Sequence, residues 1–248
     1  MVFDFILNPI FSPLLKLPTL LAVILLSFLI SVIITVIYKY TTDQNLMKQL
    51  KEEMKEYQKK IKELRKEPEK AMEMQKKAMQ SNMKYMTQSL KSTLYSFIPI
   101  ILIFGWMSAH FAFMPIQPQE DFTITLNLNP GVDGTVTMNA PDGVIIRSNA
   151  QQEISDGKAT WKLKGEAGEY LIGISVDGKK YDHEILIDGR YYKTPIKKIK
   201  DDKAQDITTN LQKNIILNLF GWKLGWLATY IIFALMFSII VRKAIKVY

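Results

Sequence analysis

The chain contains few side chains of the kinds that perform chemistry, and their positions argue against catalysis. Its 248 residues include no cysteine, which excludes disulfides, thiol nucleophiles and cysteine-bound metals. The two histidines, His110 and His183, are too few for a multi-histidine metal site. Ser108 lies about 200° around a helix from His110, so the pair cannot act as nucleophile and base. We therefore expect neither an enzyme nor a protein that depends on a cofactor.

A second group of polar side chains lies inside long apolar runs, where polar groups are costly. Ser27, Ser31 and Thr35 are spaced four residues apart and share one face of a helix. Ser92 and Ser96 have the same spacing at the start of another apolar run. Hydroxyl groups in a membrane either bond to backbone carbonyls and neighbouring helices, or line a polar groove. The pattern alone leaves both uses open.

Methionine and lysine are concentrated in residues 39–91. Seven of the twelve methionines lie there, and methionine adapts to varied apolar partners. Most of them fit a seam between two helices, whereas Met74 lies off that seam and could contact an arriving apolar segment. The basic surface could meet anionic lipid or ribosomal RNA, although the acidic residues among the lysines make ordinary solvation an explanation for much of it. The candidate contact residues are Met72, Met74, Met79, Met83, Lys59, Lys60 and Arg65.

Three apolar runs must position these side chains. Residues 17–38, 92–114 and 214–241 each offer the roughly 20 residues that cross a hydrocarbon core. Pro99 should bend or loosen the second helix, which membranes tolerate. The first run lacks the basic leader and the cleavage pattern of a signal peptide. The sequence thus predicts a multi-pass protein of the cell membrane with three transmembrane helices.

The charges of the intervening segments predict the orientation of these spans. Residues 39–91 hold 14 Lys and Arg against 8 Asp and Glu, whereas residues 115–213 hold 13 against 15. Because cytoplasmic loops are enriched in basic residues, residues 39–91 and the basic tail 242–248 should face the cytoplasm. The N-terminus and residues 115–213 then face outward. Residues 1–16 are apolar but interrupted by prolines, which predicts a segment lying in the outer membrane–water interface.

Residues 39–91 are typical of two helices separated by a turn at Pro68. Apolar residues recur with the alternating three- and four-residue spacing of a coiled-coil seam, and the chain must return to the membrane that it left. This predicts an antiparallel coiled-coil hairpin. Its seam residues are Met47, Leu50, Met54, Tyr57, Ile61 and Leu64 in the first helix and Met72, Met79, Met83, Met86 and Leu90 in the second.

Residues 115–213 have the character of a β domain followed by a linker. Alternating, threonine-rich segments and five Asp-Gly pairs predict about seven short strands joined by tight turns. That number of strands favours a small β-sandwich of the immunoglobulin-like type. Partner binding and shielding of the outer face are both compatible with such a domain.

The order of these elements resembles the archaeal three-span YidC-like branch of the YidC/Oxa membrane protein insertase superfamily. The resemblance covers residues 1–114 and 214–246 and rests on architecture more than on a sharp motif. It implies an α-helical membrane protein that helps nascent membrane proteins enter the bilayer, with a hairpin that meets the client or the ribosome. It assigns a groove, open to cytoplasm and lipid, to Ser27, Ser31, Thr35, Ser92 and Ser96. Bacterial members carry an arginine in this groove on the first span, and the first span here has none.

A protein of a different class could have the same elements. A membrane-anchored sensor or scaffold would bind a ligand or partner with its outer β-sandwich and dock through its coiled-coil arm. Deletion of the β domain separates the two hypotheses, because a sensor would lose its function and an insertase would keep much of it.

Overall fold

A computed structural model of the chain describes residues 4–247. Residues 1–3 of the predicted interfacial segment and Tyr248 of the predicted tail lie outside the described residues. The chain forms two compact units: a helical unit, made of the chain up to Trp106 and from Ile216 onward, and a β domain, Met107–Ile215.

Five α-helices are present within the described residues. Three of them, α2, α4 and α5, are long and apolar enough to cross a membrane, which confirms the three predicted spans. A short 3₁₀ helix, Ser12–Lys16, links α1 to α2. The α-helices are α1 (Asp4–Phe11), α2 (Thr19–Thr41), α3 (Gln44–Glu63), α4 (Pro68–Phe111) and α5 (Trp226–Ile245).

The second span is not a separate helix. It is the second half of α4, a 44-residue helix that also forms the returning arm of the predicted hairpin. The boundary expected between residues 91 and 92 is therefore absent, because no proline lies between Pro68 and Pro99 and no glycine precedes Gly105. The helix continues through Pro99, which does not end it.

The third span begins later than predicted. Strands β10 (Leu217–Leu219) and β11 (Trp222–Leu224) form a hairpin, and α5 starts only at Trp226. The prediction of a helix over residues 214–241 is wrong at both ends, since α5 also extends to Ile245 and takes in the start of the expected tail. Hydropathy alone does not separate a short apolar strand from a helix, and Gly221 and Gly225 interrupt the run.

The arms α3 and α4 are joined by a four-residue turn at residues 64–67 and run antiparallel. The Ser81 hydroxyl donates to the Glu53 carboxylate over 2.8 Å, linking the arms midway along α3. All six predicted seam residues of α3 are buried or half-buried. Supercoiling of the two arms stays a prediction.

The seam predicted on α4 is wrong. Along the arm, the buried and half-buried residues of α4 lie on a different face of the helix from the methionines of the predicted seam. Those methionines are exposed. Small side chains occupy much of this inner face, so the larger side chains of α3 fill the space between the arms. The inner positions follow the same three- and four-residue spacing: Ala71, Met74, Ala78, Ser81 and Tyr85.

Contacts among the spans show how they are ordered in the helical unit. The Ser31 hydroxyl lies 3.3 Å from the Ala234 carbonyl, and the Arg242 guanidinium lies 5.0 Å from the Tyr38 ring centre, so α2 and α5 run in the same direction. The Trp106 indole donates to Asn8 over 2.8 Å, which places the end of α4 near the start of the chain and makes α4 antiparallel to both. The arms and the end of α5 therefore share one end of the spans.

The β domain contains nine strands over residues 107–215, all of which are described, rather than about seven. They form two antiparallel sheets, ordered β3-β5-β1-β9-β8 and β4-β2-β6-β7, whose inward residues share one core that includes the fully buried Trp161. The immunoglobulin-like type stays a prediction. The strands are β1 (Asp121–Leu128), β2 (Thr135–Asn139), β3 (Val144–Ile146), β4 (Gln151–Glu153), β5 (Lys158–Gly165), β6 (Gly168–Val176), β7 (Lys179–Ile187), β8 (Ile196–Lys198) and β9 (Ala204–Thr209).

The Asp-Gly turns are confirmed at the β-hairpins. Both residues of Asp177-Gly178 have positive φ, 46° and 80°, as the tight turn between β6 and β7 requires. The expected linker is partly structured, because β8 and β9 lie within it and pair with the first sheet. Strand β8 gives no strand signal in the sequence, because it consists of exposed, largely basic residues.

Candidate functional site

The hydroxyl groups predicted to line a groove are buried. Ser27, Ser31, Thr35, Ser92 and Ser96 are all between 0 and 4% exposed. Four of them donate to the carbonyl one turn earlier in their own helix, over 2.7 to 3.0 Å. They share helix faces as predicted, but this burial contradicts a water-open surface formed by all five between α2 and α4. These local hydrogen bonds satisfy the hydroxyl groups inside an apolar environment.

An accessible cavity lies instead between α2 and α5. It has a volume of about 260 Å³, and its lining is mainly apolar. Ser31 is the one member of the predicted groove set that lines it, and Ser238 of α5 contributes a second hydroxyl. We call this cavity the α2–α5 crevice. Two hydroxyl-bearing side chains thus lie beside apolar walls within the spans.

A charged site that sequence reasoning missed lies at the arm end of the spans. Arg242 of α5 lies over the Tyr38 ring of α2, and Tyr85 of α4 interacts with Tyr38. The Arg242 Nε atom is buried and has no hydrogen-bond partner among the described residues. Burial raises the pKa of the Tyr85 hydroxyl. The site brings one residue from each of the helices α2, α4 and α5 together around a positive charge.

The sequence contained a signal for this site. Arg242 directly follows the last apolar run, and by sequence alone it indicates only the topology of the spans. In the structure α5 continues past that point, so Arg242 is within a helix and packs inward against Tyr38 instead of projecting into water.

Exposed apolar residues form a stripe along α4. Met72 is 71% exposed, and the stripe continues with spacings of three, four or seven residues from the arm into the span. Over 30 residues it keeps one face of the helix and has a length of about 44 Å at 1.5 Å per residue. We call it the methionine stripe. Its members are Met72, Met79, Met83, Met86, Leu90, Leu94, Phe97 and Ile101.

The remaining predicted contact residues divide by position. Met74, predicted to lie off the seam and to be able to contact an arriving segment, is half-buried on the inner face of the arm and does not belong to the stripe. Lys59, Lys60 and Arg65 are exposed near the turn that joins the arms. On the neighbouring part of α4, ion pairs Lys70–Glu67 and Lys77–Glu73 lie at 2.5 and 2.7 Å, as expected for a solvated surface.

A separate cavity of about 240 Å³ lies in the β domain. His183 lines it together with Lys193 and Lys197. The Lys193 ammonium is paired with Glu169 and Glu184, and the Lys197 ammonium donates to the Asp182 carbonyl. Because these cations already have partners, the cavity lacks a free charge that would select a ligand.

Comparison with known proteins gives one finding. A family model described as "Integral membrane protein EMC3/TMCO1-like" matches residues 4–153, which is more than half of the chain. The matched residues include α1, two of the three spans and both arms, and end at β4. No curated protein and no solved structure gives a significant match.

Proposed function

The chain belongs to the EMC3/TMCO1-like family of integral membrane proteins, part of the insertase-related Oxa1/YidC superfamily, and from this membership we propose that it inserts client proteins into the membrane. Three spans fit the three-span YidC-like branch. We assign the arms and the end of α5 to the cytoplasm, because residues 39–91 and the end of the chain are basic.

The methionine stripe is the observation that carries this proposal. Large apolar side chains on a solvated arm are costly unless they receive an apolar partner. Methionine suits partners of varied shape, as client segments are. From Met79 onward the stripe runs without a break from the arm into the lipid-exposed half of α4. A client segment bound at Met79 or Met83 therefore has an apolar path toward the bilayer at Leu94.

The polar flank of the client needs a different path. An unsatisfied polar group costs several kcal/mol in hydrocarbon. Arg242 would attract an acidic flank at the arm end, and the α2–α5 crevice would offer the Ser31 and Ser238 hydroxyls beyond it. The client's own apolar segment then enters lipid favourably, so no fuel is required.

Nascent membrane proteins are the proposed partners, and the ribosome is a second one. Lys59, Lys60 and Arg65 at the tip of the arms would contact ribosomal RNA through its phosphates. No step of this proposal uses a cofactor or a covalent reaction.

Site-specific crosslinking tests the proposal. A photo-crosslinker at Met79 or Met83 should capture a ribosome-bound client that carries a single apolar segment. The matched control is Lys84, which is exposed on the same helix but lies outside the stripe. Equal capture at Met83 and Lys84 would refute a role for the stripe, and capture of lipid alone at every site would refute client binding.

A further inference from the structure

The β10–β11 hairpin has one apolar and one polar face. Its strand register pairs Leu217 with Leu224 and Leu219 with Trp222, and these four side chains share a face because side chains alternate along a strand. Asn218 pairs with Lys223 on the opposite face. The hairpin is thus amphipathic, although it belongs to neither sheet of the β domain.

The tip of the hairpin is unusual for a turn in water. Phe220 and Gly221 form the turn with φ of 51° and 89°, a conformation for which asparagine or glycine is preferred at the first position. Phe220 is nevertheless a large aromatic residue, and it is 98% exposed. Trp222 beside it is 74% exposed. A strained backbone therefore presents two exposed rings, and an isolated two-stranded hairpin is only marginally stable in water.

The hairpin lies next to the end of the spans that is rich in aromatic side chains. Trp226 starts α5 two residues after β11 and packs against Phe104 of α4 with ring centres 5.8 Å apart. Phe104 also contacts Tyr230, and Trp106 contacts Phe11 of α1 at 5.2 Å. Tryptophan and tyrosine are enriched where a helix crosses the membrane–water boundary. These residues therefore mark that boundary, with the hairpin directly before it in the chain.

We propose that the β10–β11 hairpin is a lipid anchor whose apolar face and Phe220 tip insert into the headgroup–acyl boundary of the bilayer, at the end of the spans opposite the arms. The Lys223 ammonium on the polar face would remain among the lipid phosphates. A protein partner is a poorer fit, because specific interfaces use about 20–30 residues on each side and the hairpin has eight. Insertion would fix the depth at which α5 begins.

Spin labelling of the full-length chain tests this proposal. Because the chain has no cysteine, single cysteines can be introduced without removing any native residue. Phe220→Cys carries a nitroxide in vesicles of phosphatidylcholine and phosphatidylglycerol, and collisions with oxygen and with an aqueous nickel chelate report its depth. The label should lie about 5–10 Å below the headgroup phosphates, the depth of interfacial segments. Lys62→Cys, exposed on an arm, is the aqueous control, and Met236→Cys, exposed on α5 outside the α2–α5 crevice, is the hydrocarbon control.

Two results would overturn the proposal. Nickel accessibility at residue 220 equal to that at Lys62→Cys would mean that the tip lies in water. Protection from both oxygen and nickel would mean that another protein surface covers it. A second test removes the Phe220 ring without straining the turn. The nitroxide is placed at Trp222→Cys, once in a chain that keeps Phe220 and once in a chain that also carries Phe220→Asn. The label should be more accessible to nickel in the chain with Phe220→Asn. An unchanged accessibility in that pair would also count against the anchor.

Discussion

Acidification should destabilise the β domain through one buried histidine. His183 is 1% exposed on β7, and its Nε2 atom lies 2.8 Å from the Thr209 hydroxyl of β9 in the opposite sheet. Its Nδ1 atom has no hydrogen-bond partner among the described residues. Burial, with a smaller contribution from the nearby Lys197 ammonium, lowers the pKa of His183 to about 4, and Glu184 opposes this only weakly. The folded domain therefore holds the imidazole in its neutral form.

The sign and size of the effect follow from the two pKa values. The unfolded chain binds a proton at this histidine near its ordinary pKa of 6.5, whereas the folded domain binds it only near pH 4. Between these pH values the unfolded state binds more protons than the folded state. The contribution of His183 to the free energy of unfolding therefore has its maximum above pH 6.5 and falls as the pH is lowered. The total loss by pH 4 is about 3 kcal/mol, and about 2 kcal/mol is lost by pH 5.

Urea unfolding of the full-length protein in detergent at pH 7 and pH 5 measures this loss. With Trp106, Trp222 and Trp226 of the helical unit replaced by phenylalanine, Trp161 is the remaining tryptophan, so fluorescence reports the unfolding of the β domain. His183→Gln retains a polar group near Thr209 but does not titrate, and it should lose less stability between pH 7 and pH 5 than the native chain. His110→Gln, which removes the other histidine, should behave like the native chain. The reasoning is refuted if the native and His183→Gln proteins lose the same stability.

Three further outcomes are expected. Asp43→Ala should destabilise α3 by about 1 kcal/mol and speed amide exchange in its first turn. The reason is that the Asp43 carboxylate accepts from the Asn45 and Leu46 N–H groups. Unchanged exchange would contradict the role of this cap. Arg242→Gln should reduce insertion of a client with an acidic flank more than Arg242→Lys does, and should leave a client with a neutral flank unaffected; equal losses for both clients would exclude the charge as the cause. Replacement of residues 115–211 by a short Gly-Ser linker should preserve client insertion, because the Met114 N–H donates to the Gln212 carbonyl over 2.8 Å and the two chain ends lie together. Loss of all function in that last variant, with the spans intact, would favour the sensor or scaffold hypothesis.

The parts of the fold that follow from composition were predictable from the sequence. The run at 17–38 has no charged residue and a length that matches the bilayer, so α2 was found within a few residues. The seam of α3 was found because its large apolar residues face the partner arm. Asp-Gly pairs located turns such as Asp177-Gly178 because that dipeptide tolerates positive φ at both positions.

The errors share a physical cause, which is that hydrophobicity does not reveal which partner a side chain meets. On α4 the methionines are the more apolar face, yet the smaller Ala71, Ala78 and Ser81 face the other arm and leave the methionines exposed. Around Phe220 the apolar run continues while the backbone changes from strand to helix. The hydroxyl spacing of α2 was read correctly, but whether Ser27 meets water or its own backbone depends on packing that one sequence does not contain.

The central claim is that exposed methionines on α4 carry clients into the bilayer. It is tested most directly by reconstituting the full-length chain into liposomes with a short-tailed single-span client and measuring how much client becomes protected from protease. The four-residue variant Met72→Ser, Met79→Ser, Met83→Ser and Met86→Ser should insert several-fold less client than the native chain. A matched variant with serine at the exposed polar positions Gln80, Asn82, Lys84 and Thr87 should insert as much as the native chain. Full insertion by the methionine variant would contradict the claim.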